Sequence, residues 1–367
     1  MRDRPAGRIG SLDGLRGIAA AVVLVHHAFL TVPPLSKSNY GLAVPDSLLW
    51  LTNSPLHVIW AGREAVFVFF VLSGFVLTLP ALRRTQDWVA FFPSRAVRLY
   101  VPVVASLLIA LVLYLLVPRT SDPHQALWVN AHAQTLSLRS LFDDFTLVSP
   151  TLLNSPLWSL TWEVLFSLLV PLFVSIAAVT MQRWWLTALA GVLLSAAGEY
   201  LHLESLIYLP MFLIGSALAA GWERIRAVPT RLGWGLLVAS LLGISSPAWF
   251  PAPFSHPVIE QVVILAAAFT IVLLAGKWLP AERFLLGPVP RELGRISFSL
   301  YLVHEPIAVS LANLLPVAWS PWWTVVATIP IAIGAAFVFS RFVELPAHRL
   351  AKAIAKRLAS GGTAARL

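Results

Sequence analysis

Ten apolar runs, each close to the length a helix needs to cross a bilayer, recur along this chain and restrict it to one architecture, a bundle of membrane-spanning helices. They cover residues 13–32, 63–80, 98–117, 157–179, 184–202, 205–222, 232–247, 257–276, 296–315 and 322–342. Of the 367 residues, 58% are hydrophobic and 12% charged, about half the charged fraction of a soluble domain. Fifteen Trp and 27 Pro suit interfacial belts and helix interruptions that a membrane tolerates. The fold class expected is an all-α polytopic membrane protein with about ten transmembrane helices and both termini cytoplasmic.

The charges supply the orientation. With both ends inside, the inner loops collect Arg2, Arg4 and Arg8, then Arg83, Arg84, Arg95 and Arg98, then Arg183, then Arg224, Arg226 and Arg231, then Lys277, Arg283, Arg291 and Arg295. The tail adds Arg341, Arg349, Lys352, Lys356, Arg357 and Arg366, whereas the outer loops hold Lys37, Arg63, Arg119 and Arg139. This is the positive-inside asymmetry, and removing one span would scramble it. The net charge of +9 therefore does not indicate nucleic acid, because the cations lie in short loops and form no basic face. The basic start MRDRPAGRIG runs into an apolar stretch without a small-residue cleavage site and reads as a retained first span. Residues 1–350 are expected to form a single transmembrane domain, with Pro346 marking a break at the end of the last span, and 351–367 a basic cytoplasmic tail. The absence of Cys removes disulfides, thiolate metal sites and a thiol nucleophile.

Titratable side chains in such a setting are expensive and mark function by default. In LDGLRGIAAAVVLVHHAF, His27 stands eleven positions after Arg16, which on a helix sets them within about 20° of one face and roughly 16 Å apart along the axis. His26 points about 100° away. Asp13 lies within about 40° of His27 but roughly 20 Å distant, too far to orient that ring. In the second span Glu64 follows Arg63, as an interfacial ion pair or a site carboxylate, and Ser73 and Gly74 let helices pack closely. Arg95 and Arg98, at i and i+3, form either a phosphate clamp or plain inner-loop charge. Glu163 sits near the outer end of the fourth span beside the i, i+4 pair Trp158 and Trp162, an arrangement that holds sugar rings or serves as an aromatic belt. In the ninth span Tyr301 and His304 are one turn apart with Glu305 adjacent, a dipeptide suited to a buried pair, a proton relay or a substrate contact. Arg341, Glu344 and His348 gather at the inner end of the tenth. Sorted by depth, Arg16, Arg95, Arg98, Arg295, Arg341 and Glu344 lie toward the cytoplasm, His27, Glu64 and Glu163 toward the outside, and His304 between.

These blocks, in order, resemble the membrane acyltransferase 3 family, bacterial enzymes that O-acylate surface polysaccharides and some metabolites. SLDGLRGIAAAVVLVHH resembles its opening block at Arg16 and His27, VFVFFVLSGFVLT the second, and SRAVRL the paired-arginine motif. SPLWSLTWEVLFSLLVP is similar to the fourth-span block at Glu163, and ISFSLYLVHEPI and FVELPAHRL to the closing blocks at Tyr301, His304 and Glu344. Ser167 stands where the family often has an aromatic residue. The resemblance covers nearly the whole chain and is to the stand-alone members, without an external esterase-like domain.

It implies an acyl-CoA donor, most simply acetyl-CoA, from the cytoplasm, a glycan or other hydroxyl acceptor, and the bacterial cytoplasmic membrane as location. No metal and no nucleic acid are expected. On this reading His27, Glu163 and His304 are catalytic, with His27 a general base or acyl carrier and Glu163 or Glu64 its partner. Arg16, Arg95 and Arg98 hold the CoA phosphates, and Asp13, Glu64, Trp158, Trp162, Tyr301 and Glu344 contact substrate. The rival readings are an ion-coupled transporter using the same charges, which would show internal repeats with matched broken helices, and an acyltransferase for a macrolide-type metabolite.

Overall fold

A computed structural model gives the structure and describes residues 9–150, 152–250, 256–316 and 318–364, with side chains to residue 359. Arg2, Arg4, Arg8 and Arg366 of the charge pattern, and the last three residues of the expected tail, lie outside the described residues. Among the latter there are helices and loops and no strand. Long helices lie over all ten expected spans: α1 (Gly10–Phe29), α2 (Gly62–Arg83), α3 (Trp88–Leu116), α4 (Trp158–Val179), α5 (Trp184–Leu201), α6 (Glu204–Gly221), α7 (Thr230–Trp249), α8 (Pro257–Lys277), α9 (Pro288–Leu314) and α10 (Trp322–Phe339). Among the described residues, eight helical segments are long and apolar enough to cross a membrane, and the chain is a polytopic all-α membrane protein. The two below that hydropathy are α5, diluted by Trp184, Trp185 and Glu199, and α9, which carries Arg291, Glu292, Arg295, His304 and Glu305.

Two boundaries differ from the sequence reading. Helix α3 starts at Trp88, ten residues before the expected span, because the Asp87 carboxylate caps it by accepting from the Ala90 N–H at 3.2 Å. Arg95 and Arg98 thereby move from an inner loop onto a helix. At the other end Pro346 does not break the chain: Ser340–Glu344 forms a π-turn that leads into α11 (Leu345–Ala364). A proline ring clashes with the carbonyl four residues back in an α-helix, and the wider π-turn gives it room.

The chain divides into two compact units. The first comprises Met1–Val22, Trp50–Thr85 and Leu169–Arg295, and the second Val23–Leu49, Gln86–Leu168 and Ile296–Leu367. In the first, helices approach at small residues, as expected where lipid removes the hydrophobic drive for association and close packing takes over. A Cβ on Gly74 of α2 would fall 2.1 Å from the Phe212 carbonyl oxygen of α6, and one on Gly215 would fall 1.9 Å from the Val71 oxygen. The contact is sealed by a Thr78–Ser216 hydroxyl pair at 2.8 Å. In the second unit α11 packs along α3. The segments between α3 and α4 are ordered by their own caps: Ser137 and Ser140 form a reciprocal capping box at the start of Leu138–Thr146, and the Asp144 carboxylate accepts from the Leu153 N–H at 3.0 Å.

Candidate active site

The second unit brings two histidines together that lie 277 residues apart in sequence. One turn back on its own helix, the Val23 carbonyl accepts from His27 Nδ1–H at 2.9 Å, and Leu300 O accepts from His304 Nδ1–H at 2.9 Å. Assigned from these partners, both imidazoles carry their proton on Nδ1. His304 Nε2 is then an acceptor, and it stands 3.1 Å from His27 Nδ1. The His27 Nδ1 proton is shared between the Val23 oxygen and His304, and the lone pair stays on His27 Nε2. A ring so held has one tautomer and one orientation, the condition for an imidazole to act as base or nucleophile. Three other rings surround it: His304 at 4.8 Å between centroids, His26 at 5.1 Å and Trp128 at 5.6 Å.

Tyr301, one turn before His304, buries its ring 5.9 Å from the imidazole. Its hydroxyl lies 2.8 Å from the Pro156 carbonyl, which accepts from it, and 2.7 Å from Ser159 Oγ. Tyr301 therefore ties α9 to the start of α4 rather than standing open to a ligand. One turn beyond Tyr301 on the same helix, Glu305 Oε1 accepts from Ser155 Oγ at 2.5 Å and lies 3.0 Å from His132 Nε2. Asn154 donates from Nδ2 to Leu302 O at 2.8 Å. Outside the membrane-spanning helices, burial pulls the Arg119 guanidinium below its ordinary pKa, while the charges of Glu305 and Tyr114 act the other way.

A second polar group joins α3 to α4. Arg95 Nη2 forms an ion pair with Glu163 Oε1, and its Nε donates to Ser167 Oγ at 3.0 Å, whose own hydroxyl donates to Glu163 O at 2.6 Å. Both side chains are nearly nine-tenths buried, at 12% and 13% exposure. This overturns the expected depth ordering, in which Arg95 faced the cytoplasm and Glu163 the outside. With α3 beginning at Trp88, Arg95 stands about two turns inside its helix, and its long side chain meets a carboxylate about one and a half turns inside α4. It also corrects the expected partner of His27. Glu163 is engaged by Arg95, and an imidazole, not a carboxylate, faces His27 Nδ1. Ser167, noted in the sequence only as a departure from a family pattern, is the hydroxyl that holds Arg95. Trp158 and Trp162 precede Glu163 on α4, both half-buried, and Arg98 lies one turn beyond Arg95. Glu344, in the π-turn, accepts from Ser299 Oγ at 2.5 Å.

The remaining predicted residues belong to the first unit. Asp13 and Arg16 pair with each other across one turn of α1 at 3.7 Å. Glu64 is buried in the first turn of α2, with Arg63 beside it directed to Glu199 at 3.8 Å. Sequence reasoning passed over His132, Trp128 and Ser155. The first two stand at i and i+4 in a long polar loop, a spacing that places both on one side of a helical turn and was available to be read.

With this geometry in place, the comparisons with known proteins decide the class. Residues 9–341 match the family described as acyltransferase domain, and the chain belongs to that acyltransferase 3 family. It is an acyltransferase of the membrane. Among characterised relatives it is 27% identical to the acyltransferase MdmB of Streptomyces mycarofaciens, over 94% of this chain and 92% of that one. It is 24% identical to nodulation protein 10 of Rhizobium leguminosarum bv. viciae, over 97% of each. It is 26% identical to the exopolysaccharide production protein ExoZ of Rhizobium meliloti, over 68% of this chain and 77% of that one. No solved structure matches the chain.

Proposed function

We propose that this protein moves an acyl group, acetyl in the simplest case, from cytoplasmic acyl-CoA to a hydroxyl of an envelope or exported glycan, in the bacterial cytoplasmic membrane. The observation that carries the reading is the His27–His304 contact, which holds His27 in the tautomer whose Nε2 is basic. In the base mechanism Nε2 takes the proton of the acceptor hydroxyl as its oxygen attacks the thioester carbon. The C–S bond breaks, and the imidazolium returns the proton to the departing thiolate. In the relay mechanism Nε2 itself attacks, the C–S bond breaks, and the acyl group rests on the imidazole until the acceptor oxygen displaces it. In that case the acceptor's proton ends on the CoA sulfur. In both, positive charge develops on the ring, and His304 Nε2, as acceptor of Nδ1–H, stabilises it.

Arg16, Arg95 and Arg98 are the cations suited to the 3′-phosphate and pyrophosphate of CoA. Glu163 and Ser167 then serve to aim Arg95 and leave its second terminal nitrogen for a phosphate. Asp13 and Glu64 in the first unit, and Trp158, Trp162, Tyr301 and Glu344 in the second, are assigned as positioning or acceptor-contacting groups. Residues 1–350 act as one catalytic domain, and 351–367 as a basic tail at the anionic leaflet. A glycan acceptor is favoured by the similarity to a protein named for exopolysaccharide production.

Purified protein in nanodiscs with radiolabelled acetyl-CoA tests this. Thioester turnover or label on the protein that disappears in His27→Ala is the expected result, and label on the protein selects the relay. Full acyl transfer by His27→Ala would overturn the mechanism.

A further inference from the structure

The scheme above leaves unused the most deeply buried ionisable pair of the second unit. Glu305 is 0% and His132 4% exposed. His132 Nδ1–H donates to Trp128 O at 2.8 Å, so its Nε2, 3.0 Å from Glu305 Oε1, needs a second proton between the two atoms. The pair is either imidazolium with carboxylate or imidazole with carboxylic acid, and is neutral overall in both. Buried pairs of this kind contribute little net stability, and their best-attested use is to select one arrangement of the chain. The arrangement selected is visible. His132 and its own carbonyl bond hold the short helix Leu127–Ala131 so that the Trp128 indole lies 4.7 Å from the His132 ring and 5.6 Å from His27. The Trp128 backbone N–H donates to Ser36 Oγ at 2.9 Å, which fixes the short helix from a second point. Neighbours on α9 thus reach His27 by two routes, His304 directly and Glu305 through His132 and Trp128.

We propose that Trp128, positioned by His132 and Glu305, keeps water off His27, so that the acyl group passes to the acceptor hydroxyl instead of being hydrolysed. The inference rests on His27 being the reacting imidazole. The side reaction it suppresses is complete in itself: water oxygen adds to the acyl carbon, the C–S bond breaks, and a water proton ends on the thiolate, giving the carboxylic acid and CoA thiol. Trp128 is 6% exposed, and truncating it opens an indole-sized space beside polar imidazoles, the kind of cavity that water enters.

The test is acetyl-CoA hydrolysis by the full chain in nanodiscs without added acceptor, followed as thiol release. Monodisperse elution and unchanged affinity for a non-hydrolysable acetyl-CoA analogue establish that each variant is folded. Trp128→Ala is expected to raise hydrolysis about tenfold, and Trp128→Ala with His27→Ala to abolish the gain. Glu305→Ala should behave as Trp128→Ala does, whereas Glu305→Gln, which keeps a hydrogen-bonding group of the same shape, returns hydrolysis toward the native rate. Hydrolysis that depends on His27 but is unmoved by either alanine variant would overturn the shielding role and leave the His27 reading intact. Hydrolysis indifferent to His27 throughout would overturn the reading beneath it.

Discussion

Replacing His304 by leucine removes the acceptor of the His27 Nδ1 proton while keeping roughly the same volume in a site where His304 is 1% exposed. The bond lost is 3.1 Å long and is charge-assisted once His27 becomes an imidazolium in the transition state. Hydrogen bonds to charged groups contribute about 1.5–3 kcal/mol, which converts to about a 10- to 150-fold loss of kcat. The loss stops there because the Val23 carbonyl, 2.9 Å away, still holds the Nδ1 proton and the productive tautomer. His304→Gln, whose amide oxygen can accept the same proton, should lose less than His304→Leu. The assay is acetyl-CoA turnover in nanodiscs, with KM for the donor recorded separately and expected to change little. In a double-mutant cycle, His304→Leu should add nothing to His27→Ala, because the contact exists only through His27. A kcat within twofold of native for His304→Leu would refute this account. A loss equal to that of His27→Ala would refute it too, by making His304 a reacting group in its own right.

Other outcomes follow from the same structure. Glu163→Ala leaves the buried Arg95 charge uncompensated and should destabilise the protein by about 3 kcal/mol or more, whereas Arg95→Met with Glu163→Leu should be less damaging than either truncation alone; thermal unfolding in one detergent ranks the three. Gly215→Ala forces a Cβ into the Val71 oxygen and should sharply lower the yield of folded protein, while Gly235→Ala, with nothing within 4 Å, should be neutral by gel filtration after heating. Tyr301→Phe removes a hydroxyl bonded to Pro156 O and Ser159 and should cost about 1–2 kcal/mol, seen as a lowered melting temperature with donor affinity unchanged.

The sequence alone determined the membrane class, the ten helical segments and the residues worth inspecting. Apolar length, charge bias and the cost of an ionisable group in lipid are properties of a local stretch, and each can be read without knowing what lies opposite. Arg16 and His27 on one helix, Tyr301 next to His304, and the small-residue contact at Gly74 all followed from periodicity. What periodicity cannot supply is the partner across helices. That His27 meets His304, that Arg95 is held by Glu163 and Ser167, and that Glu305 reaches His132 depend on how far each helix slides along its neighbour. That offset is set by details such as the Asp87 cap, which starts α3 ten residues early, and the π-turn before Pro346. A side chain's depth, and hence whether two charges on different helices touch or stand far apart, was decided only by tertiary packing, because hydropathy places a helix in the bilayer to within a turn or two while an ion pair or a shared proton is made or lost within an ångström.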